Sequence, residues 1–192
     1  FTAISEQRYD TLPEVTAALS TVIATGVVAV TDVQCKEVCQ EPPLLYDLTT
    51  LQKEANTKLG FSADKTLSIA QSLYEAKVLS YPRTGSRYIS DDVFDEIPSR
   101  IALLEQYPTL AAHAVVLKGA TLNRRSVDAG KVTDHHAILP TAEFLKAGFA
   151  SLADSETKLM TLVCAKLLCA AAAPYAYEAV TAVFTCGGYT FT

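Results

Sequence analysis

The two ends of the chain alternate apolar and polar residues, whereas the middle repeats apolar residues at helical spacing. Within residues 27–39, positions 31–36 place Asp, Gln and Lys on one face and Thr, Val and Cys on the other. Residues 177–185 alternate in the same way, and Gly187-Gly188 predicts a tight turn into a last short strand. We therefore expect strands at both ends of the chain that share one sheet.

Capping residues mark several helices. Thr11 is an N-cap for a predicted helix over residues 11–25, which Gly26 ends. Ser62 is an N-cap for a second predicted helix over residues 62–77. The remaining predicted helices cover residues 49–59, 91–106 and 155–172. The apolar face predicted for residues 62–77 consists of Leu67, Ala70, Leu73 and Tyr74.

This order of elements predicts an α+β fold with two domains. Residues 49–173 form a helical domain, and residues 1–48 and 174–192 form the sheet domain into which it is inserted. The first and last residues are both typical of strand interiors, so we interpret the chain as a piece of a longer protein.

Composition limits the classes of protein to which this chain can belong. The chain has 192 residues, 49% of them hydrophobic and 19% charged, which is typical of globular proteins. None of the five cysteines forms a Cys-x-x-Cys pair, so we expect no zinc site and a reducing cytoplasmic location. The apolar run at 159–174 is interrupted by Lys166 and is too short to span a bilayer, so no membrane partner is expected.

Residues 80–89 carry the most informative chemistry. A tyrosine, Tyr81, lies beside Arg83 and Arg87 at the end of a predicted helix, with Thr84 between the arginines. A phenol can attack a phosphodiester when guanidinium groups hold the phosphate oxygens. Pro82 forces an extended conformation on Tyr81, so the helix must end before it. The alternative is a surface loop with solvated arginines.

The helix before this loop offers supporting groups. Gln71 and Glu75 are four residues apart and share a helix face. We expect Glu75 to pair with Arg83 and orient its guanidinium. For Gln71, an ordinary polar helix face is an equal alternative.

Two adjacent histidines, His135 and His136, occur within residues 131–141. Neighbours on an extended segment point to opposite faces, so the pair is a poor metal chelate, and one ring can face a phosphate while the other packs. Ahead of them lies a local basic cluster made of Lys118, Arg124, Arg125 and Lys131. This cluster could follow a single-stranded backbone, with a solvated loop as the alternative. The chain as a whole has a net charge of −5, so any nucleic-acid contact must be local.

Together these segments resemble the type IA DNA topoisomerases, and in particular the topoisomerase III group. The resemblance rests on residues 42–56, on residues 70–75, on the 81–88 loop and on residues 131–141. It implies a helical winged-helix-like domain, similar to that of catabolite activator proteins, inserted into a β-rich arch. It also implies a bacterial cytoplasmic protein associated with the nucleoid.

The resemblance implies roles for individual residues. Tyr81 is expected to form a 5′-phosphotyrosyl link to single-stranded DNA, with Arg83 and His135 stabilising phosphoryl charge and no ATP required. The expected supporting residues are Glu75, Gln71, Thr84 and His136, and the expected DNA-binding residues are Arg87, Arg124, Arg125 and Lys131.

The sequence departs from the family pattern in two ways. Gly85 stands where the family has aspartate. In addition, the family holds Mg²⁺ with a Glu and an Asp-x-Asp of a Toprim domain, which nothing in this chain matches, so we expect Mg²⁺ to be bound by the remaining domains of the parent enzyme. We therefore expect the chain alone to be inactive.

Three rival functions remain open at this point. A relaxase needs two histidines on one strand face, and His135 and His136 are adjacent instead. A tyrosine recombinase places its tyrosine after its arginines and histidine. A non-catalytic winged-helix module would use Tyr81 only for stacking or packing.

Overall fold

The computed structural model describes residues 2–192, which form two compact units. The sheet unit contains the residues up to Gln40 together with Tyr175–Thr192, and the helical unit is Glu41–Pro174. The predicted α+β class is confirmed. The helical unit begins at Glu41, so it includes residues 41–48.

The sheet unit is a three-stranded antiparallel sheet with one helix. Its elements are α1 (Leu12–Thr25), β1 (Ala29–Gln40), β2 (Tyr175–Cys186) and β3 (Tyr189–Phe191). The strand order is β1-β2-β3, with Gln40 paired to Tyr175 at one end of the long ladder and Ala29 paired to Thr185 at the other. The prediction that strands from both chain ends share a sheet is confirmed.

The turn between β2 and β3 requires glycine. Gly187 and Gly188 have φ values of 57° and 82°, a left-handed pair typical of two-residue hairpins. A Cβ at Gly187 would lie only 2.8 Å from the Thr25 hydroxyl oxygen. The close approach of α1 therefore excludes a side chain at this position.

The alternation of apolar and polar residues along β1 predicted a strand, but it did not predict the exposure of the apolar residues. Eleven of its twelve residues are exposed, including Val30 and Val33, and Val180 on β2 is exposed as well. Within the sheet unit, the apolar face of this ribbon is not covered.

The helical unit contains seven α-helices and a single 3₁₀ turn within the described residues. They are α2 (Leu48–Leu59), α3 (Ala63–Glu75), α4 (Asp91–Asp95), α5 (Ile97–Leu104), α6 (Pro108–Leu117), α7 (Ala142–Ala147) and α8 (Asp154–Ala171), with the 3₁₀ turn at Ala129–Lys131. The single helix predicted over 91–106 is wrong, because the chain breaks at Glu96. Pro98 lacks the N–H that would continue the ladder across this point.

The core of the helical unit is organised around α8. Its buried residues include Leu159, Val163 and Leu167, and the helix packs against α2, α3 and α6. Burial raises the pKa of the Cys164 thiol, which therefore remains neutral and acts as a small apolar group. Among the described residues, no helix is long and apolar enough to cross a membrane.

Candidate active site

The loop that carries Tyr81 begins where α3 ends. Lys77 adopts a left-handed conformation (φ 62°) and turns the chain out of the helix. The Ser80 N–H then donates to the Leu139 carbonyl, and the Leu139 N–H donates to the Ser80 hydroxyl, both at 2.9 Å. Tyr81 therefore follows a segment that is fixed to the strand-like residues 137–140.

Tyr81 is half-buried between two other rings. The Tyr74 ring meets it edge-on at 5.2 Å between centroids, and the His135 ring lies at 4.3 Å with a tilt of 44°. The ring contacts fix the position of Tyr81, and its phenol oxygen has no hydrogen-bond partner within residues 2–192.

Thr84 joins the loop to the histidine segment. Its buried hydroxyl donates to the His135 carbonyl at 2.9 Å and accepts the Ser86 N–H at 3.1 Å. The Thr84 carbonyl accepts the Leu48 N–H at 3.1 Å, at the start of α2. This residue therefore joins the Tyr81 loop, the histidine segment and the start of α2.

The second half of the loop is held by a second small hydroxyl residue. The Ser86 hydroxyl donates to the Lys131 carbonyl at 3.0 Å and accepts the Tyr88 N–H at 3.1 Å. The Arg87 Nε–H donates to the Leu45 carbonyl at 3.1 Å. Arg87 is therefore tied to the backbone through one nitrogen, which leaves its two terminal nitrogens available.

Gly85 lies in open space. A Cβ at this position would have nothing within 4 Å, and the residue does not adopt a positive φ. Steric crowding therefore does not explain the glycine, and the loop lacks the carboxylate that the family pattern places there.

Arg83, Gln71 and Glu75 line one surface groove. Gln71 Nε2 donates to Glu75 Oε1 at 3.1 Å, and the buried Gln71 Oε1 has no hydrogen-bond partner in the described chain. The expected ion pair between Glu75 and Arg83 is not formed, because no carboxylate of residues 2–192 lies within ion-pairing distance of Arg83. The rest of the groove is lined by Asp64, Leu67, Ser68 and Ser72.

The two histidines occupy different surroundings. His135 is exposed against Tyr81, whereas His136 is half-buried with its Nδ1 at 2.6 Å from the Ala137 carbonyl oxygen. The Ser90 hydroxyl chiefly lowers the pKa of Asp92, and the charge of His136 adds to this effect. The structure brings His135 to Tyr81 and directs His136 toward the backbone.

Arg124 and Arg125 are both engaged within the chain. Arg124 forms an ion pair with Asp91, and its guanidinium lies 4.4 Å from the centre of the Phe94 ring. Arg125 donates to the Pro42 carbonyl. A phosphate bound by either arginine would have to share it with these partners.

The lysines of the predicted basic cluster are paired as well. Lys131 lies 2.8 Å from Asp128, and its ammonium is 5.0 Å from the centre of the Tyr88 ring. Lys118 pairs with Glu105 at 3.1 Å. The cluster therefore carries less free positive charge than its sequence indicates.

A second expectation for this site also differs from the structure. The apolar helix face predicted over residues 62–77 includes Tyr74, but Tyr74 is 40% exposed and packs against Tyr81, whereas the preceding Leu73 is fully buried. The roles of Ser80 and Ser86 in holding the loop were missed. The available signal was the pair of small hydroxyl residues that flank Tyr81.

No metal centre is formed by the part of the chain that the structure describes. Among residues 2–192, no group of three or more His, Cys, Asp or Glu side chains is placed to hold a metal ion. We therefore assign the Mg²⁺ implied by the sequence resemblance to none of residues 2–192.

Comparison with known proteins gives a consistent set of relatives. A family model described as DNA topoisomerase matches residues 1–192. The chain is 44% identical to a DNA topoisomerase 3 of Bacillus thuringiensis (strain Al Hakam) over 152 residues, which are 78% of this chain and 20% of that protein. It is 40% identical to the DNA topoisomerase 3 of Bacillus subtilis (strain 168) over 152 residues, 78% of this chain and 21% of that protein.

A solved structure agrees in fold. Full-length topoisomerase I of Thermotoga maritima matches with a TM-score of 0.71 and 24% identity, covering 98% of this chain and 30% of that one. The chain thus spans about a fifth of the length of the curated relatives that it matches.

Proposed function

This chain belongs to the type IA DNA topoisomerase family, and on that premise we propose that it supplies the tyrosine that cuts and rejoins one DNA strand. The observation that carries the proposal is the packing of the His135 ring against Tyr81, at 4.3 Å between centroids. The Thr84 bond to the His135 backbone supports this placement.

The proposed reaction is a transesterification. The Tyr81 phenol oxygen forms a bond to the phosphorus of a phosphodiester, and the bond from phosphorus to the 3′ oxygen breaks. The phenol proton is lost, and the departing oxygen gains a proton to become a free 3′-hydroxyl. The DNA is left with a 5′-phosphotyrosyl link. Attack by the same 3′-hydroxyl reverses the step after another strand has passed, so no ATP is consumed.

Arg83 and His135 are proposed to stabilise charge on the phosphoryl oxygens. Arg83 follows Tyr81 by two residues and has no ion-pair partner within residues 2–192, so its guanidinium is available to a phosphate. His135 presents an exposed ring beside the phenol. Gln71, Glu75, Thr84 and His136 are proposed to support these groups.

The proposed substrate is a single-stranded segment of DNA. Arg87, Arg124, Arg125 and Lys131 are proposed contacts to its backbone, with the last three sharing their charge with intramolecular partners. The remaining domains of a longer protein would be the other partners and would hold Mg²⁺. We place such a protein in the bacterial cytoplasm, on the nucleoid.

The helical unit is proposed to be the winged-helix-like domain of this family, and the sheet unit part of its arch. Support comes from the helical unit, in which α2 and α3 pack beside extended segments joined by the bridges Tyr46 to Ile138 and Leu79 to Pro140.

The direct test is Tyr81→Phe in a protein of the relatives' length that carries this chain. The substitution removes the nucleophilic oxygen and keeps the ring packing, so the covalent DNA adduct should disappear while DNA binding stays nearly unchanged. Tyr88→Phe is the matched control, since Tyr88 lies in the same loop. Adduct formation that survives Tyr81→Phe but not Tyr88→Phe would move the role to Tyr88. Adduct formation by neither the parent nor the variants would favour a non-catalytic DNA-binding module.

A further inference from the structure

A second groove of the helical unit carries concentrated positive charge. It runs along one face of α2, and Lys166 of α8 and Arg87 of the Tyr81 loop complete it. Its lining residues are Tyr46, Thr50, Lys53, Glu54, Thr57, Lys58, Arg87 and Lys166. Four cationic side chains thus surround a single carboxylate in a chain whose net charge is −5.

The single carboxylate does not neutralise the groove. Glu54 accepts from Lys58 and from Lys166, each at 2.7 Å. Lys53 has no ion-pair or hydrogen-bond partner for its ammonium within the described chain, and Arg87 uses only its Nε. Two cations therefore face the groove without an acidic partner, which is the arrangement that binds an anion.

A buried hydroxyl lies at the floor of the groove. Tyr46 is 1% exposed, and its hydroxyl has no hydrogen-bond partner in the part of the chain that is described. It lies near Glu54 but outside hydrogen-bonding geometry, and the Lys166 ammonium sits 4.6 Å from the centre of its ring. Burial, and after it the nearby Glu54 carboxylate, raise the pKa of Tyr46, so the hydroxyl stays protonated and can only gain by donating to an acceptor.

We propose that this groove binds a phosphate of a nucleic-acid backbone. Lys53 and Arg87, which have no acidic partner, supply charge, and the Tyr46 hydroxyl supplies a short-range donor. The groove is open along the surface, so the phosphate can belong to a continuous strand. The identification of the polymer as DNA rests on the proposed function, whereas the anion site itself rests only on these side chains.

The continuity of the loop links this site to Tyr81. Arg87 lies six residues after Tyr81, and the intervening Thr84 is bonded to Leu48 at the start of α2. A strand phosphate held by Arg87 would thus be positioned by the same loop that holds the phenol.

Equilibrium binding tests the inference without reference to cleavage. The 192-residue chain is titrated with a short oligo-dT over a range of salt concentrations, and separately with inorganic phosphate. Lys53→Gln should weaken oligo-dT binding roughly fivefold to tenfold at low salt. It should also reduce the slope of log affinity against log salt concentration by about one, as expected for the loss of one phosphate contact. Lys146→Gln is the matched control, because Lys146 is an exposed lysine of the helical unit that lies outside the groove. It should change neither quantity.

Tyr46→Phe distinguishes a specific phosphate site from a general attraction to positive charge, because it removes a hydroxyl and changes no charge. It should weaken oligo-dT and phosphate binding while leaving the unfolding midpoint unchanged or higher, because a buried hydroxyl without a partner is removed. Wild-type affinities for both ligands in Lys53→Gln, or in Tyr46→Phe, would overturn the site. Variants that lose inorganic phosphate but bind oligo-dT normally would overturn its assignment to a nucleic-acid backbone.

The result is distinguishable from a failure of the proposed function. Normal adduct formation, together with unchanged ligand affinities in Lys53→Gln and Tyr46→Phe, would overturn this inference alone. Weaker ligand binding in these variants, with no adduct in a protein of the relatives' length, would support the phosphate site and overturn the cleavage proposal.

Discussion

The Arg83 guanidinium has no ion-pair partner within residues 2–192. A guanidinium without a fixed partner is available to negative charge that develops during a reaction. The nearby Glu75 carboxylate accepts from Gln71 Nε2 and does not pair with Arg83. The arginines further along the chain, Arg124 and Arg125, are instead held by Asp91 and by a backbone carbonyl. Arg83 therefore differs from Arg124 and Arg125 in having its charge unpaired within residues 2–192, and the next prediction rests on this difference.

Arg83→Ala should lower the rate of DNA cleavage roughly a hundredfold while changing DNA affinity far less, because its charge matters most where phosphoryl charge develops. Arg83→Lys should recover only part of the rate, since a planar fork becomes a point charge. Single-turnover cleavage and equilibrium binding in a protein of the relatives' length measure the two effects. Equal and mild losses for both variants would identify Arg83 as an ordinary surface residue.

The histidine pair makes a second prediction at this scale. His135→Ala should reduce cleavage or DNA binding more than His136→Ala, because His135 packs against Tyr81, whereas His136 contacts a backbone carbonyl. Both variants are compared in the same cleavage assay, with unfolding midpoints as the control for folding. The reverse order would show that His136 faces the substrate.

At the scale of elements, α2 and α8 are joined by the shared carboxylate of Glu54. Partial burial alone would raise its pKa, but hydrogen bonds from Lys166 and Lys58 outweigh this effect and lower the pKa from its usual 4.5 to about 2. A lowered pKa in the folded state stabilises the fold above the unfolded value. This contribution is therefore present above about pH 4.5 and is lost as the pH falls toward 2.

Glu54→Gln should consequently lower the free energy of unfolding by about 1–3 kcal/mol at pH 7. The difference from the parent chain should shrink as the pH falls from 4.5 to 2. Denaturant unfolding at several pH values measures it. Glu41→Gln is the control, as Glu41 is exposed and unpaired among the described residues. A difference that stays constant with pH would mean that the ion pairs contribute nothing.

Elements with strong local signals were predictable from the sequence. Ser62 caps α3, Gly26 ends α1 in a left-handed conformation, and the Gly187-Gly188 turn sets the hairpin. The short helix α7 was missed because its six residues are too few for a periodic pattern.

The sequence predicted the residue types of the candidate site but not the contacts between them. The spacing of Tyr81 and Arg83 is local, but the contact between Thr84 and His135 joins residues 51 positions apart. The expected pair of Glu75 and Arg83 is not formed, and Gln71, on the same helix face, donates to Glu75. No sequence pattern shows which of two neighbouring donors such a carboxylate will accept.

For the whole molecule, we predict that the 192-residue chain folds but does not cleave DNA, even with Mg²⁺. It spans about a fifth of the length of its curated relatives, and no group of its described residues is placed to hold a metal ion. Its net charge of −5 should make single-strand binding weak and sensitive to salt. Gel assays for cleaved or covalently bound DNA provide the measurement, and adding the remaining residues of a relative is the control. Metal-dependent cleavage by the chain alone would mean that the complete apparatus lies within it.

The pairing of Gln40 with Tyr175 has a consequence for the order of folding. These two residues sit opposite each other on the ladder, yet the entire helical unit separates them in sequence. Closing so long a connection in an unfolded chain costs more entropy than closing a short one. Once Glu41–Pro174 has collapsed around its own core, its two ends lie close together, since Pro42 and Ala171 are bonded to Arg125 and Asn123. The remaining closure then resembles that of a hairpin. We therefore expect the helices to form first. Strands β1 and β2 should pair afterwards, starting at Gln40 and Tyr175 and proceeding away from the helical unit.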